Sequence, residues 1–190
     1  MPRFPLFISL EGLCCVIVGG GAVAERKVFA LLDFGARIMV FALDATEPLK
    51  ALALEGRITL RERAYGGAAD IRGAALVLAA TDDRELNRRI AEDARNAGIP
   101  VNVADDPDLC TFFFPALVRR GDLVAGISSS GACPGLVAGL RKQVDAIWPP
   151  ELGEALEALK FERRRLLDSA ESDAHEKLDL LIAQTLALTK

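Results

Sequence analysis

The chain is 190 residues long, 51% hydrophobic and 26% charged, with a formal net charge of -4. That is room for one full domain plus a smaller module, and the acidic balance excludes bulk attraction to nucleic acid or to an anionic membrane. No apolar run reaches the roughly 18 residues of a membrane span, and Met1 to Phe7 lacks a signal-peptide core, so a cytoplasmic location is expected.

The four cysteines, Cys14, Cys15, Cys110 and Cys133, form no C-x-x-C pair, and the single His stands far off at 175. Reduced, mostly buried thiols are expected, and no metal site.

Residues 6 to 12 read as a short edge strand ending in a turn at Glu11-Gly12. Cys14 to Val18 is an unbroken apolar run closed by Gly19, Gly20 and Gly21, after which Ala24, Val28, Leu31 and Leu32 recur at helical spacing. Strand, tight turn and helix follow from that order. Gly19, Gly21 and Ala24 fit G-x-G-x-x-G/A, where the first glycine permits the turn, the second admits a pyrophosphate and the third small residue brings helix and strand together. The helix N-terminus would face the phosphates. Residues Gly19, Gly20, Gly21, Ala22, Val23 and Ala24 are therefore candidate cofactor contacts.

Gly35 ends this helix, and Arg37 to Ala42 predicts a second strand. Thr46 to Leu54 predicts a helix with Thr46 as N-cap, and Ile58 to Glu62 a more exposed third strand. Tyr65 to Arg72 is irregular. Ala75 to Ala80 is wholly apolar, as in a strand buried on both faces. The next predicted helix carries the stripe Leu86, Ile90, Ala94 and Ala97 and is capped by Thr81 or Asp82, and Val101 to Ala104 is a fifth strand running into Asp105. This alternation predicts a Rossmann-like, doubly wound parallel sheet over residues 1–110.

The pattern then changes. Thr111 to Val118 and Leu123 to Ser129 read as two antiparallel strands about Gly121-Asp122, followed by a helix from Leu136 to about Ile147 that Trp148-Pro149-Pro150 stops. Such a pair is not stable alone, so residues 111–148 are expected to bury Phe112 to Phe114 against the first domain or another chain, as a small α+β dimerisation domain. Residues 149–190 read as two or three short helices, with stripes at Leu152, Leu156 and Leu159 and at Leu178, Ile182 and Leu186.

Asp44 lies 20 residues beyond Ala24 and is the candidate ribose partner, and no Lys or Arg between 41 and 49 awaits a 2′-phosphate. NAD is favoured over NADP on that ground. Thr81 and Asp82, past a central strand end, either line a cofactor or cap a helix. Asp105, at the end of the fifth strand, is a candidate general base or metal ligand, or else an Asx-turn residue. Ser128 and Ser129 precede a helix and could form a nest for a carboxylate, and Arg119, Arg120 and Arg141 are the local cations for an anionic ligand. His175 reads as an ordinary exposed residue.

Taken together, Val16 to Lys27, Ala79-Ala-Thr-Asp-Asp83, Asn102-Val-Ala-Asp105 and Cys110 to Leu123 leading into Ile127-Ser-Ser-Ser-Gly131 resemble the precorrin-2 dehydrogenase family, the N-terminal domain of siroheme synthase and its stand-alone relatives. The resemblance covers about residues 4 to 147. It implies NAD-dependent oxidation of precorrin-2 to sirohydrochlorin in a homodimer with a Rossmann domain, and in some members insertion of ferrous iron. By position, Asp105 matches the family's catalytic aspartate and Ser128 the serine of its Ile-Ser motif, while the substrate's eight carboxylates give Arg119, Arg120 and Arg141 a purpose. The stand-alone form, without the methyltransferase domain of fused enzymes, is expected. Two alternatives stay open: a bifunctional dehydrogenase and chelatase, and a non-catalytic NAD-sensing module.

Overall fold

The computed structural model describes residues 3–169 and 173–189. The chain divides into two compact units, residues 1–113 and 114–190.

The first unit is a five-stranded, wholly parallel sheet of β1 (Cys14–Val18), β2 (Arg37–Ala42), β3 (Ile58–Glu62), β4 (Leu76–Ala79) and β5 (Val101–Val103), in spatial order β3-β2-β1-β4-β5. Helices α1 (Ala22–Leu32), α2 (Glu47–Leu54) and α3 (Arg84–Asn96) make the crossovers into β2, β3 and β5. A single turn of 3-10 helix (Ala68–Ile71) precedes β4. Because β1 and β4 are flanked by strands and covered on both faces, Cys15 to Val18 and Leu76 to Ala79 are buried, as an apolar run without alternation requires. The chain reverses direction of winding between β1 and β4, so a crevice opens at their carboxyl ends.

The expected edge strand at residues 6–12 does not form. Residues 3–9 are exposed and take no strand conformation, and the turn at Glu11-Gly12 leads directly into β1. β1 already has β2 and β4 on its two sides, so the segment that enters it has no ladder beside it to join. The stripe expected on α3 also shifts at its end. Ala97 is exposed as the C-cap of α3, and the inward positions there are Asn87, Ile90, Ala91 and Ala94.

Residues 110–112 are not the start of a long strand; they run along the open edge of β5. Thr111 N-H donates to the Val101 carbonyl at 2.8 Å, and the Thr111 hydroxyl accepts from Val101 N-H at 2.8 Å. Cys110 Sγ accepts from Val103 N-H at 3.1 Å, and its S-H lies within reach of the Val103 and Asp106 carbonyls at 3.3 and 3.2 Å. Side-chain atoms thus satisfy a sheet edge that would otherwise be unpaired.

The second unit holds the antiparallel pair β6 (Ala116–Arg120) and β7 (Leu123–Ile127), joined at Gly121-Asp122, where Gly121 takes φ +59°. Helices α4 (Pro134–Ile147), α5 (Glu151–Ser169) and α6 (Ala174–Leu186) follow. Its buried hydrophobic residues among those described are Val118, Leu152, Leu166 and Ala174. The stripe expected on α6 is displaced: Ile182 and Leu186 are exposed, while Leu181, Thr185 and Leu188 line a groove with Ala155, Ala158 and Leu159 of α5. No helix among the described residues is long and apolar enough to cross a membrane.

Candidate functional site

Gly19, Gly20 and Gly21 link β1 to α1 under three different constraints. Gly19 takes φ +122°, and a Cβ there would lie 2.2 Å from the Ala80 carbonyl oxygen. Its N-H donates to the Phe41 carbonyl at 2.8 Å. Gly20 takes no left-handed φ, but a Cβ there would meet the Asp44 carbonyl oxygen at 2.1 Å, and its own carbonyl accepts from Thr46 N-H at 3.0 Å. These two glycines are demanded by the protein itself.

Gly21 is different. It is the N-cap of α1 at an ordinary φ of -81°, makes no side-chain cap bond, and has nothing within 4 Å of an added Cβ. The fold does not require glycine there, and a bare helix N-terminus is what an approaching phosphate needs. Ala24, wholly buried, lets α1 lie close to the sheet, while Ala22 and Val23 form the first turn.

The glycine turn is one wall of a cleft of about 600 Å³ whose other walls are the segments after β2, β3 and β4. Asp44, Thr81 and Asp82 all line it. Asp44 is exposed, accepts from Ala45 N-H at 2.8 Å and pairs with Lys50 at 3.2 Å, contacts that hold its carboxyl below the usual carboxylate range. Lys50 lies just past the 41–49 window, and Arg63 also reaches the cleft, so the mouth is not free of cations. Each is engaged by carboxylates, Lys50 by Asp44 and Glu47 and Arg63 by Asp70.

The cap of α3 is Asp83, not Thr81 or Asp82: its Oδ1 accepts from Glu85 and Leu86 N-H at 2.9 and 3.0 Å. Asp83 stands at the position from which a carboxylate reaches the N2 and N3 amides. The Thr81 hydroxyl donates to Asn87 Oδ1 at 2.7 Å, and Asn87 Nδ2 donates back to the Thr81 carbonyl at 2.8 Å. Thr81 is thus held by a buried Asn on the inner face of α3, a polar residue that the apolar stripe of that helix does not single out. Asp82 is exposed in the cleft.

Thr46 occupies the N-cap position of α2 but makes no cap bond. Its Oγ1 is buried without a hydrogen-bond partner, alone in this among the described residues, and the residue lines the cleft. A buried hydroxyl left without a partner is costly, and a ligand hydroxyl or phosphate is the partner that this place would supply. The bare N-terminus, the room over Gly21 and this hydroxyl together fit a dinucleotide.

Asp105 lies outside the cleft lining, one strand further along the same sheet edge. It is exposed and takes φ +60°, a left-handed conformation that Asp tolerates better than most residues. The Asx-type bond of this turn belongs to Asp106, whose Oδ1 accepts from Leu109 N-H at 3.4 Å. Beside it a polar network runs along β5. Lys27 of α1 donates to Asn102 Oδ1 at 2.8 Å, and Asn102 Nδ2 donates to the Phe112 carbonyl at 3.1 Å. Burial lowers the pKa of Lys27, and Arg26 adds to this; the Cys110 thiol and the Asp105 carboxylate oppose it. A polar residue centred in Val101-Asn102-Val103 was the available sequence signal for this network.

The remaining candidates belong to the second unit. Arg120 is engaged there: Nε donates to the Trp148 carbonyl at 2.8 Å and an Nη to Asp145 Oδ1 at 3.0 Å, tying β6 to the end of α4. Arg141 pairs loosely with Asp145 at 3.9 Å, and Arg119 is exposed. Ser128 Oγ accepts from Ser130 N-H at 3.1 Å and Ser129 Oγ from Cys133 N-H at 3.0 Å, so both hydroxyls brace the turn into α4, where Ser130 takes φ +55°. His175 is exposed. All four cysteines are free thiols; Cys15 is buried, which pushes its pKa up to about 11, Cys14 and Cys110 are half-buried and Cys133 is exposed, so the expected burial of the thiols holds only in part. No group of three His, Cys, Asp or Glu among the described residues could hold a metal ion.

Residues 6–116 match the model of a family described as putative NAD(P)-binding. The chain belongs to this family. The matched segment of this NAD(P)-binding protein holds the sheet, the glycine turn and Asp105. Among its relatives, a siroheme synthase of Methylococcus capsulatus is 44% identical over 153 residues, 80% of this chain and 32% of the relative. A siroheme synthase of Neisseria meningitidis serogroup C is 41% identical over 83% of this chain and 32% of its own length. The chain thus spans about a third of the curated relatives it matches. Of solved structures, SirC, a precorrin-2 dehydrogenase, superposes with a TM-score of 0.79 at 23% identity, covering 98% of this chain and 92% of that one. That likeness establishes the shared fold.

Proposed function

We propose that the chain is an NAD-dependent dehydrogenase that oxidises precorrin-2 to sirohydrochlorin. The observation that carries this is the pairing of a glycine-walled cleft with Asp105 on the next strand of the same sheet edge, in a chain 44% identical to a siroheme synthase. When bound, the nicotinamide supplies a hydride acceptor. The chain's residues do the rest: Gly20, Gly21 and the start of α1 hold the pyrophosphate, Thr46 and Asp44 the ribose, and Thr81 and Asp82 the cofactor's flank. Asp105, or a water it orients, takes the accompanying proton. Arg119, Arg141 and the serine turn at Ser128 and Ser129 meet substrate carboxylates, while Arg120 secures the helix that carries Arg141.

NAD is the proposed dinucleotide rather than NADP because Asp44 is exposed at the mouth and both nearby cations are already paired with carboxylates. A homodimer in the cytoplasm completes the reading: α4 buries no residue, and Leu136, Leu140 and Ile147 stand exposed on it.

Mixing the protein with NAD and precorrin-2 and recording the absorbance change of the macrocycle tests this directly. Asp105→Asn, which keeps the left-handed turn, is expected to bind NAD as before and to lower turnover by about 100-fold or more. Unchanged turnover would remove Asp105 from the reaction, and NAD binding without any turnover in the unaltered protein would favour the sensing module.

A further inference from the structure

Arg63 follows β3, and half of its side chain is exposed. Its guanidinium is held in one plane: Nη1 and Nη2 donate to the two carboxylate oxygens of Asp70 at 2.8 and 2.6 Å, and Nη1 also donates to the Ala64 carbonyl at 2.9 Å. Asp70 is itself fixed, being only 13% exposed and accepting from Gly66 N-H at 2.7 Å. The guanidinium carbon sits 4.6 Å from the centre of the Phe41 ring, and Phe41 is buried. The plane therefore has a rigid floor. Leu43, 81% exposed, follows β2, the strand beside β3, and lines the same cleft as Arg63 and Ala64.

Glycine turn and α1 hold the pyrophosphate at the middle of the dinucleotide, and with Asp44 after β2 as the ribose partner the β2 and β3 ends of the cleft receive the adenosine half. A flat cationic group braced from behind and an apolar side chain nearby suit a flat, electron-rich heteroaromatic ring, because guanidinium stacks on such faces and its planar fork loses little freedom in doing so. We propose that Arg63 is the adenine platform of this cleft, with Leu43 as the opposing apolar contact, and that Asp70 serves it as a positioning residue. This rests on the dinucleotide reading above and adds to it the residue on which the base stacks.

Titration calorimetry with NAD, AMP and nicotinamide mononucleotide, which lacks adenine, tests the proposal on the full chain. Arg63→Ala is expected to weaken NAD and AMP at least 10-fold while leaving nicotinamide mononucleotide unchanged. Arg63→Lys, which keeps the charge and loses the plane, is expected to behave like Arg63→Ala, and Asp70→Asn to give an intermediate loss. If Arg63→Lys binds AMP like the unaltered protein, long-range charge attraction accounts for binding and the platform is overturned. Equal weakening of all three ligands overturns it too, since a base platform cannot act on a ligand without adenine. An unaltered protein that binds NAD, with Arg63→Ala binding it as tightly, overturns this inference alone; an unaltered protein that binds neither NAD nor AMP overturns the dinucleotide reading as well.

Discussion

The two units solve the problem of burying apolar surface in opposite ways. In residues 1–113 the inner strands lie between two helical layers, and even the open edge of β5 is satisfied by Cys110 and Thr111. In residues 114–190 a two-stranded sheet and three helices leave Leu136, Leu140, Ile147, Phe161 and Leu180 exposed. The sheet core of the first unit is closed by its own helices, although Phe4, Leu6, Phe7, Leu43 and Leu54 stand exposed outside it, whereas α4 of the second unit buries no residue at all. The difference teaches where each half should tolerate change: the first is intolerant at its crowded turns, the second at its uncovered face.

The largest effect should come from the crowded turns. Gly19→Ala drives a methyl into the Ala80 carbonyl at a left-handed φ, costing about 3 kcal/mol or more; a thermal midpoint lowered by about 6 to 12 °C or more would register it. Gly21→Ala meets nothing within 4 Å, so its melting curve should stay put while NAD affinity falls at least about 10-fold, a loss of about 1.4 kcal/mol. Equal melting losses for the two variants would break the distinction between a glycine the fold needs and one its ligand needs.

The uncovered face is tested by Leu136→Lys with Leu140→Lys, both exposed on α4. The double variant is expected to elute as a monomer in size-exclusion chromatography with light scattering while binding NAD as before. A variant that stays dimeric moves the interface elsewhere.

A smaller loss is expected from Asp83→Ala. Removing the cap of α3 should cost about 1 kcal/mol in urea unfolding, whereas Asp82→Ala should cost almost nothing, since Asp83 accepts both amide bonds.

The smallest effect concerns acid. Asp70 is held below the usual carboxylate range mainly by its bonds from Arg63, with Gly66 N-H assisting, against the cost of burial. Its folded pKa is therefore depressed, so its contribution is fully present above the unfolded carboxylate pKa of about 4 and fades as pH falls through the lower folded value. Urea midpoints for Asp70→Asn and the unaltered protein should differ at about pH 6 and converge as the pH drops below about 4.

What was legible in the chain divides along the same line. β1, β2 and β3 occupy the residues expected because unbroken or alternating apolar runs bounded by glycine leave few other readings. β6 fell short because Thr111 to Pro115, though apolar enough for a strand, is drawn partly to the edge of β5, a tertiary demand that local pattern does not carry. The α6 stripe slipped because Leu178, Leu181, Ile182 and Leu186 offer two overlapping helical faces, and only the partner helix decides between them. In the cleft, glycines and acids were visible as motif positions. Thr46, Asn87 and Arg63 were not, nor was Lys27 in the network beside Asp105, because each acts through a side-chain partner in another segment or through the lack of one.

The edge formed by Cys110 and Thr111 also bears on how the chain is made. Val101 reaches its partner 10 residues later in the chain, so at a synthesis rate of about 5 to 20 residues per second the last strand of the sheet waits only about half a second to two seconds for its cover. The open ladder most able to pair with a neighbouring nascent chain is thus sealed by the very next stretch to emerge, before the second unit exists at all.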